Sequence, residues 1–292
     1  MAALNGFEHI VRDNEPLAPF TWFRLGGPAE YFAEPTSVDE LAALVKRCRE
    51  LDLPVRLLGG GSNLLVRDEG VRGVVVHLAA AAFCEIKVAG NQVVAGGGAK
   101  LAHVISTCVR EGLAGLEQLV GIPGTIGGAL HGNAGTESGD IGQWTESATV
   151  MLRSGDIVNR TREDLRFAYR QSSLDELAIL SAKFQLERDQ PDALTKRMQK
   201  LWIVKKAAQP TGTQSAGCVF KNPVGATAAS LIEQAGLKGA RQGQVEVSGQ
   251  NPNFFLAGPG AASSEVIALI ERVRAQVRER LGVELEPQLE IW

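Results

Sequence analysis

Two glycine-rich bends, each leaving an apolar run, constrain this chain more than any other feature. The first, Gly59-Gly60-Gly61-Ser62-Asn63-Leu64-Leu65-Val66, follows the largely apolar run Leu53 to Leu58. The second, Gly121-Ile122-Pro123-Gly124-Thr125-Ile126-Gly127-Gly128-Ala129, lies far downstream. Glycine has no Cβ to hold a ligand off the backbone, takes positive φ freely, and in succession can aim several N–H groups at one anion. A lone Gly-Gly-Gly reads most simply as a tight turn, because glycine is the commonest punctuation of loops. Two such loops, each carrying a hydroxyl at Ser62 or Thr125, point instead to a phosphate-bearing ligand. Neither has the G-x-G-x-x-G spacing of a Rossmann turn or the G-x-x-x-x-G-K-[ST] spacing of a nucleoside-triphosphate loop, and both of those folds lose support.

A length of 292 residues suits two or three packed units. Hydrophobic content of 45% with 22% charged residues is that of an ordinary globular protein. The formal net charge of -3 argues against non-specific nucleic-acid binding, which needs a basic footprint. No apolar run approaches the roughly 18 residues that a membrane span requires, and Met1-Ala2-Ala3-Leu4-Asn5-Gly6 lacks the basic-then-apolar order of a secretory signal. A cytoplasmic monomer with no nucleic-acid or membrane partner is the expectation. Cys48, Cys84, Cys108 and Cys218 are scattered without C-x-x-C spacing, so neither a zinc site nor a disulfide framework is expected. Free thiols of a reducing compartment fit best.

Taken in order, residues 21–32 are aromatic-rich around a Gly-Gly-Pro break and read as short strands about a turn. Ser37 stands as an N-cap three residues before Glu40, a capping box for an amphipathic helix to about Leu51. Pro54 starts the strand that delivers the first glycine loop, and residues 71–78, with three successive valines, read as a buried strand. Residues 83–88 and 92–95 form a predicted hairpin turning at Gly90-Asn91. Gly96-Gly97-Gly98 follows, either a turn into a helix over residues 101–111 or a further ligand loop. Residues 148–153, 157–160 and 178–186 read as strands of a second sheet, and a helix over residues 193–206 closes that unit. Gln209-Pro210-Thr211-Gly212-Thr213 looks like a boundary. Beyond it, helices over residues 228–235 and 264–281 flank a strand at residues 253–256.

Thr21-Trp22-Phe23-Arg24-Leu25-Gly26-Gly27, residues 59–66, residues 121–135, Tyr169-Arg170-Gln171-Ser172 and residues 215–223 share an order and spacing that resembles the UDP-N-acetylenolpyruvoylglucosamine reductase (MurB) family. The likeness runs from about residue 15 to the last few residues. The lack of a long insertion after Tyr169-Arg170 is similar to the family's shorter, type II-like members. This resemblance implies an α+β fold in which an FAD-binding domain of the vanillyl-alcohol-oxidase (PCMH-like) type forms two α/β subdomains, residues 1–80 and 81–208. A smaller α+β substrate-binding domain, residues 209–284, and a C-terminal strand, residues 285–292, would complete it. The implied reaction uses NADPH and FAD to reduce the enolpyruvyl group of UDP-N-acetylglucosamine enolpyruvate, with hydride to C3 and a proton to C2, giving UDP-N-acetylmuramate for peptidoglycan precursor synthesis. Two glycine loops far apart in sequence suit so long a dinucleotide, whose redox chemistry belongs to the cofactor while the protein supplies position and charge.

The resemblance also assigns roles. Arg170 matches an arginine at the substrate carboxylate, where a guanidinium can hold the anion and stabilise the enolate; read from the residues alone, it is a surface loop arginine. Cys218 stands where the family has a serine that delivers the proton to C2, and a thiol, with a reference pKa of about 8.5, is the stronger acid. The family's third catalytic group, a glutamate in an L-E-P-E-V-like segment, falls on Gln288 of Leu285-Glu286-Pro287-Gln288-Leu289-Glu290. Either the amide of Gln288 donates to the substrate carboxylate, or Glu286 or Glu290 takes over on the same strand face. Lys206, Lys221, Asn222 and Asn251 fall at or near positions that bind the UDP-sugar diphosphate. For FAD the implied residues are Gly59, Gly60, Gly61, Ser62, Asn63, Leu64, Gly121, Pro123, Gly124, Thr125 and Gly127, with Arg24 and Asn133 as weaker candidates and His131 as a structural neighbour. Two rivals stay open: a sugar or lactone oxidase of the same flavin fold, and a silent nucleotide-sugar binder motivated by Gln288 and Cys218.

Overall fold

The computed structural model describes residues 4–210 and 214–292, which leaves Thr211, Gly212 and Thr213 of the expected boundary and Met1-Ala2-Ala3 outside the described residues. The first stretch runs β1 (Val11–Pro16), β2 (Pro28–Ala33), α1 (Val38–Glu50), β3 (Val55–Leu58), β4 (Leu64–Leu65) and β5 (Val71–His77). Then come α2 (Ala81–Cys84), β6 (Ile86–Ala89), β7 (Gln92–Gly96), α3 (Leu101–Arg110), β8 (Leu113–Ala114), α4 (Ile126–His131), β9 (Gly135–Thr136) and β10 (Gly139–Asp140). The middle continues with β11 (Thr145–Met151), β12 (Ile157–Thr161), β13 (Phe167–Ala168), β14 (Gln171–Ser172), β15 (Ala178–Gln185), β16 (Glu187–Arg188) and α5 (Pro191–Ala208). The final stretch is α6 (Ala228–Gln234), β17 (Arg241–Gln242), β18 (Val245–Val247), β19 (Phe255–Ala257), α7 (Ser263–Leu281) and β20 (Glu290–Ile291).

The chain divides into two compact units. One comprises the residues up to Asn14, Glu30–Gly60 and Arg72–Val204. It carries the four-stranded sheet β1-β2-β5-β3 and the five-stranded sheet β12-β11-β15-β7-β6. β3 and β5 pair in parallel, Val55 opposite Val74, and β3 ends at Leu58, immediately before Gly59. The successive valines 74–76 are all fully buried, as expected of a strand covered on both faces. Two cores fill this unit. Leu41, Leu44, Val45 and Cys48 of α1 pack with Val74, Val76 and Phe83, while Leu101, Val104, Ile105 and Cys108 of α3 pack with Val93, Ala148 and Phe184. Both helices show the i, i+3, i+4, i+7 spacing of a single buried face. Ser37 caps α1 by accepting from the Glu40 N–H, but the Glu40 carboxylate turns to the Thr36 N–H rather than to Ser37.

The other unit comprises Glu15–Ala29, Gly61–Val71 and Lys205–Trp292. Its core joins Phe23, Leu65, Phe220 and Phe255 to the apolar face of α7, Val266, Leu269, Ile270, Val273 and Val277. Gly282, in the left-handed region at φ 70°, ends that helix. At its other end the Asp68 carboxylate accepts from the Ser263 and Ser264 N–H groups at 2.9 and 3.3 Å.

The α+β class expected from the sequence is the class observed. Some elements differ from the reading. Residues 21–27 form no strand and the strand starts only at Pro28, because the Gly26-Gly27 backbone is held against Val66 and Asp68. Residues 81–84 are a single helical turn, so the hairpin begins at Ile86. β1 and the β17–β18 hairpin were not anticipated; their alternation is too short and too polar to register.

Candidate active site

The two glycine loops meet in the first unit. A Cβ on Gly60 would lie 2.7 Å from Gly124 Cα, and one on Gly59 would lie 3.0 Å from Thr125 Oγ1. The chain turns through left-handed backbone at Gly121 and Gly124, φ 77° and 111°. Among the described residues, the N–H groups of Gly59, Gly60, Gly121, Gly124 and Thr125 donate to no acceptor of the chain. Native backbone donors are almost always paired with protein or water. A concentration of open ones on a surface stripped of Cβ atoms is what a cofactor bearing phosphates and carbonyl oxygens requires, so these residues fit FAD. Gly127 differs: its N–H bonds to Gly97 O at 2.8 Å, so it closes the back of the loop. Pro123 sets the corner between Ile122 and Gly124.

In the second unit, a Cβ on Gly61 would sit 2.0 Å from Phe20 O, and φ is 60° there, so only glycine fits. Ser62 is half-buried. The Asn63 side chain donates to Gln288 O at 2.9 Å, and Leu64 is a buried residue of β4 that pairs in parallel with Glu290 of β20. These two residues tie the loop to the C-terminus. Arg24 is exposed and left-handed, φ 53°.

Arg170 sits at the tip of the two-stranded hairpin β13–β14, in the first unit. The ladder pairs Ala168 with Gln171, leaving Tyr169-Arg170 as the turn. Arg170 is in the left-handed region, φ 57°, an uncommon place for a non-glycine residue. Its guanidinium carbon lies 5.5 Å from the Tyr169 ring centroid, and its Nε is buried without a hydrogen-bond partner among the described residues. Leaving a buried charged donor unmatched costs about 1–3 kcal/mol or more. An anion that completes it offsets that cost.

Cys218 and Gln288 come from neighbouring segments of the second unit. Phe220 and Pro287 form an antiparallel bridge, and Lys221 N donates to Glu286 O at 2.9 Å. Val219 O accepts from both Gln288 N at 2.7 Å and Leu289 N at 3.4 Å, two residues set against one, which is a β-bulge. The expectation that Glu286, Gln288 and Glu290 share a face by strict alternation therefore fails between Gln288 and Leu289. Asn253, only 3% exposed, clamps the other side: its Oδ1 accepts from Phe220 N and its Nδ2 donates to Phe220 O, each at 2.9 Å. Cys218 is half-buried and in no disulfide. Burial pushes the Cys48 and Cys108 thiols up to about 11 and about 12, leaving them as inert core residues.

Of the residues expected at the diphosphate, Lys221 Nζ lies 2.6 Å from Glu286 Oε1. Asn222 Oδ1 accepts from Ala228 N at 3.0 Å, and Asn251 donates to Ala208 O at 3.3 Å while accepting from Asn253 N. Lys206 is exposed on α5. Asn253, which clamps Phe220, and Asp68, which caps α7, are supports that sequence reasoning missed, while Glu286, already weighed there as a stand-in for Gln288, pairs with Lys221. Only Asn253 left a trace, in the turn-forming Asn251-Pro252-Asn253. A cavity of about 420 Å³ elsewhere in the second unit, beside Arg241, Gln244 and Pro259, holds none of the expected residues.

Family models match two stretches. Residues 29–161 match an FAD binding domain, and residues 209–292 match the C-terminal domain of UDP-N-acetylenolpyruvoylglucosamine reductase. The chain is 42% identical over 284 residues to the UDP-N-acetylenolpyruvoylglucosamine reductase of Rhodopirellula baltica, covering 97% of this chain and 93% of that one. It is 39% identical over 288 residues to the enzyme of that name from Listeria innocua, covering 98% and 96%. The solved MurB structure from Thermus caldophilus superposes with a TM-score of 0.82 at 34% identity, over 97% of this chain and 99% of that one.

Proposed function

The chain belongs to the UDP-N-acetylenolpyruvoylglucosamine reductase family, and from that premise we propose that it reduces UDP-N-acetylglucosamine enolpyruvate to UDP-N-acetylmuramate at the expense of NADPH, in peptidoglycan precursor synthesis. FAD, when bound, takes up the hydride of NADPH and supplies one to C3 of the enolpyruvyl group. The open N–H groups of Gly59, Gly60, Gly121, Gly124 and Thr125 would hold that cofactor, with Gly61, Ser62, Asn63, Leu64, Pro123 and Gly127 shaping the two loops.

The carrying observation is Arg170. Its buried, unmatched Nε suits a substrate carboxylate, and a fixed guanidinium gains strength as negative charge develops on the enolate. Cys218 Sγ gives its proton to C2 and is reprotonated from solvent, so the sum is one hydride and one proton added across the double bond. Gln288, fixed through its backbone at the bulge, offers its amide N–H to the carboxylate. Lys206, Lys221, Asn222 and Asn251 would face the diphosphate, with Lys221 exchanging Glu286 for phosphate oxygens. The proposed setting is a monomer in the cytoplasm, which holds the NADPH and UDP-sugar the reaction consumes. Among the described residues no helix is long and apolar enough to cross a membrane.

The test is to purify the protein, record its flavin absorbance, and follow NADPH oxidation with and without the enolpyruvyl substrate. Substrate-dependent oxidation is expected. Oxygen-dependent turnover of a sugar would favour an oxidase, and a yellow but inert protein would favour the binder that Gln288 suggests. Removing one electrostatic donor commonly costs about 10²–10³ in rate, so Gln288→Glu should accelerate turnover if the amide is a handicap.

A further inference from the structure

Helix α4 has Thr125 of the second glycine loop as its N-cap, and its C-terminal end is bonded to the Arg170 hairpin. Three side-chain hydrogen bonds make that second attachment. Asn133 Nδ2 donates to Ala168 O at 2.8 Å, Ser172 Oγ donates to His131 O at 2.9 Å, and His131 Nδ1 donates to Leu174 O at 2.9 Å. Asn133 is the centre of the joint. It is 2% exposed, left-handed at φ 42°, and its Oδ1 also accepts from Gly142 N at 3.1 Å. Gly142 in turn has no room for a Cβ, which would fall 2.3 Å from the Phe167 ring at the foot of the hairpin. A short hairpin of two paired residues on each strand would be marginal alone. Here both ends of its ladder are anchored to one element.

We propose that Asn133 is a positioning residue for Arg170: it locks the hairpin to α4, so that the loop expected to hold the cofactor and the guanidinium expected to hold the substrate carboxylate are fixed by a single strut about 9 Å long. The inference rests on the substrate role given to Arg170 above. It differs from a role for Asn133 at the flavin, since both ends of its amide are already engaged by Ala168 and Gly142.

The experiment compares Arg170→Ala, Asn133→Gly and the double variant, all flavin-loaded. Asn133→Gly keeps the left-handed backbone and deletes both side-chain bonds. A displacement of about 1 Å at a reacting group can cost about 10²-fold, so substrate-dependent turnover should fall by about 10²-fold while NADPH still reduces the flavin at the wild-type rate and flavin affinity holds. The double variant should be no slower than Arg170→Ala, since the two act through one group. Amide exchange of residues 167–172 in the apoprotein should quicken. Asn133→Asp keeps the acceptor for Gly142 and can donate to Ala168 only when protonated, so its turnover relative to wild type should decline as pH rises. Should Asn133→Gly fail to fold, Asn133→Asp and Ser172→Ala carry the same readings. A slow Arg170→Ala beside a fast Asn133→Gly, or losses that multiply in the double variant, overturns this inference alone. A fast Arg170→Ala removes the role of Arg170 and this inference with it.

Discussion

Two runs of three glycines in the first half of this protein, identical in sequence, differ in where their N–H groups go. In Gly96-Gly97-Gly98 every N–H is taken, by Glu85 O, Leu180 O and Phe83 O at 2.8–2.9 Å, and Cβ atoms there would fall 2.1, 1.8 and 2.0 Å from the backbone oxygens of Phe83, Ile179 and Leu78. Glycine is needed there because chain packs against chain. In Gly59-Gly60-Gly61 no N–H reaches an acceptor among the described residues; Gly61 is packed against Phe20 O, while Gly59 and Gly60 close on Thr125 and Gly124 of the other loop. The composition is the same, and what sets a packing turn apart from the proposed ligand cradle is the destination of the N–H groups.

The sharpest way to break that comparison is Gly97→Ala. Its Cβ would collide with a carbonyl of the central strand β15, where neither partner can rotate away. A loss of about 3 kcal/mol or more is expected, read from the urea midpoint or from failure to accumulate folded protein. A variant as stable as wild type would mean that this triplet is not a packing device.

Gly60→Ala is the counterpart. Its Cβ would press on Gly124 Cα and push apart the pair of loops, so the effect should appear in the ligand before the fold. Flavin affinity should fall about 10²-fold, roughly 2.7 kcal/mol, in a fluorescence titration. The apoprotein should melt closer to wild type than Gly97→Ala does. Equal damage to folding in both would erase the distinction.

This contrast also shows why the sequence was readable in some places and opaque in others. Ser37 with the spacing of Leu41, Leu44, Val45 and Cys48 announces α1 because helix signals are local. The hairpin turning at Gly90-Asn91 is local in the same way. The fate of Gly96-Gly97-Gly98 is not, since it depends on Ile179 and Leu180 more than eighty positions away by their numbers. Likewise Arg170, Cys218 and Gln288 were assigned through resemblance to a family and not through any periodicity. The bulge at Gln288 is invisible in Leu285-Glu286-Pro287-Gln288, because it is set by a single carbonyl, Val219 O, from another segment. The Asp68 carboxylate left no mark either.

Asp68 supplies a third destination for N–H groups, a side chain distant in sequence, and the smallest of the expected effects. Burial works against its ionisation, but the N–H groups of Ser263 and Ser264 outweigh it and hold the carboxyl below its usual value. Since the folded-state pKa is depressed, the stabilisation is present above the unfolded value of about 3.9 and is lost as pH falls through the lower folded value. Asp68 is exposed, so solvent screening keeps the cap to about 0.5–1 kcal/mol. Asp68→Ala should therefore melt below wild type at neutral pH, and the two curves should converge in acid below about pH 4. A gap of constant size down to about pH 3 would show that the carboxylate's charge is not what fills the end of α7, and that N–H groups here are satisfied by geometry alone.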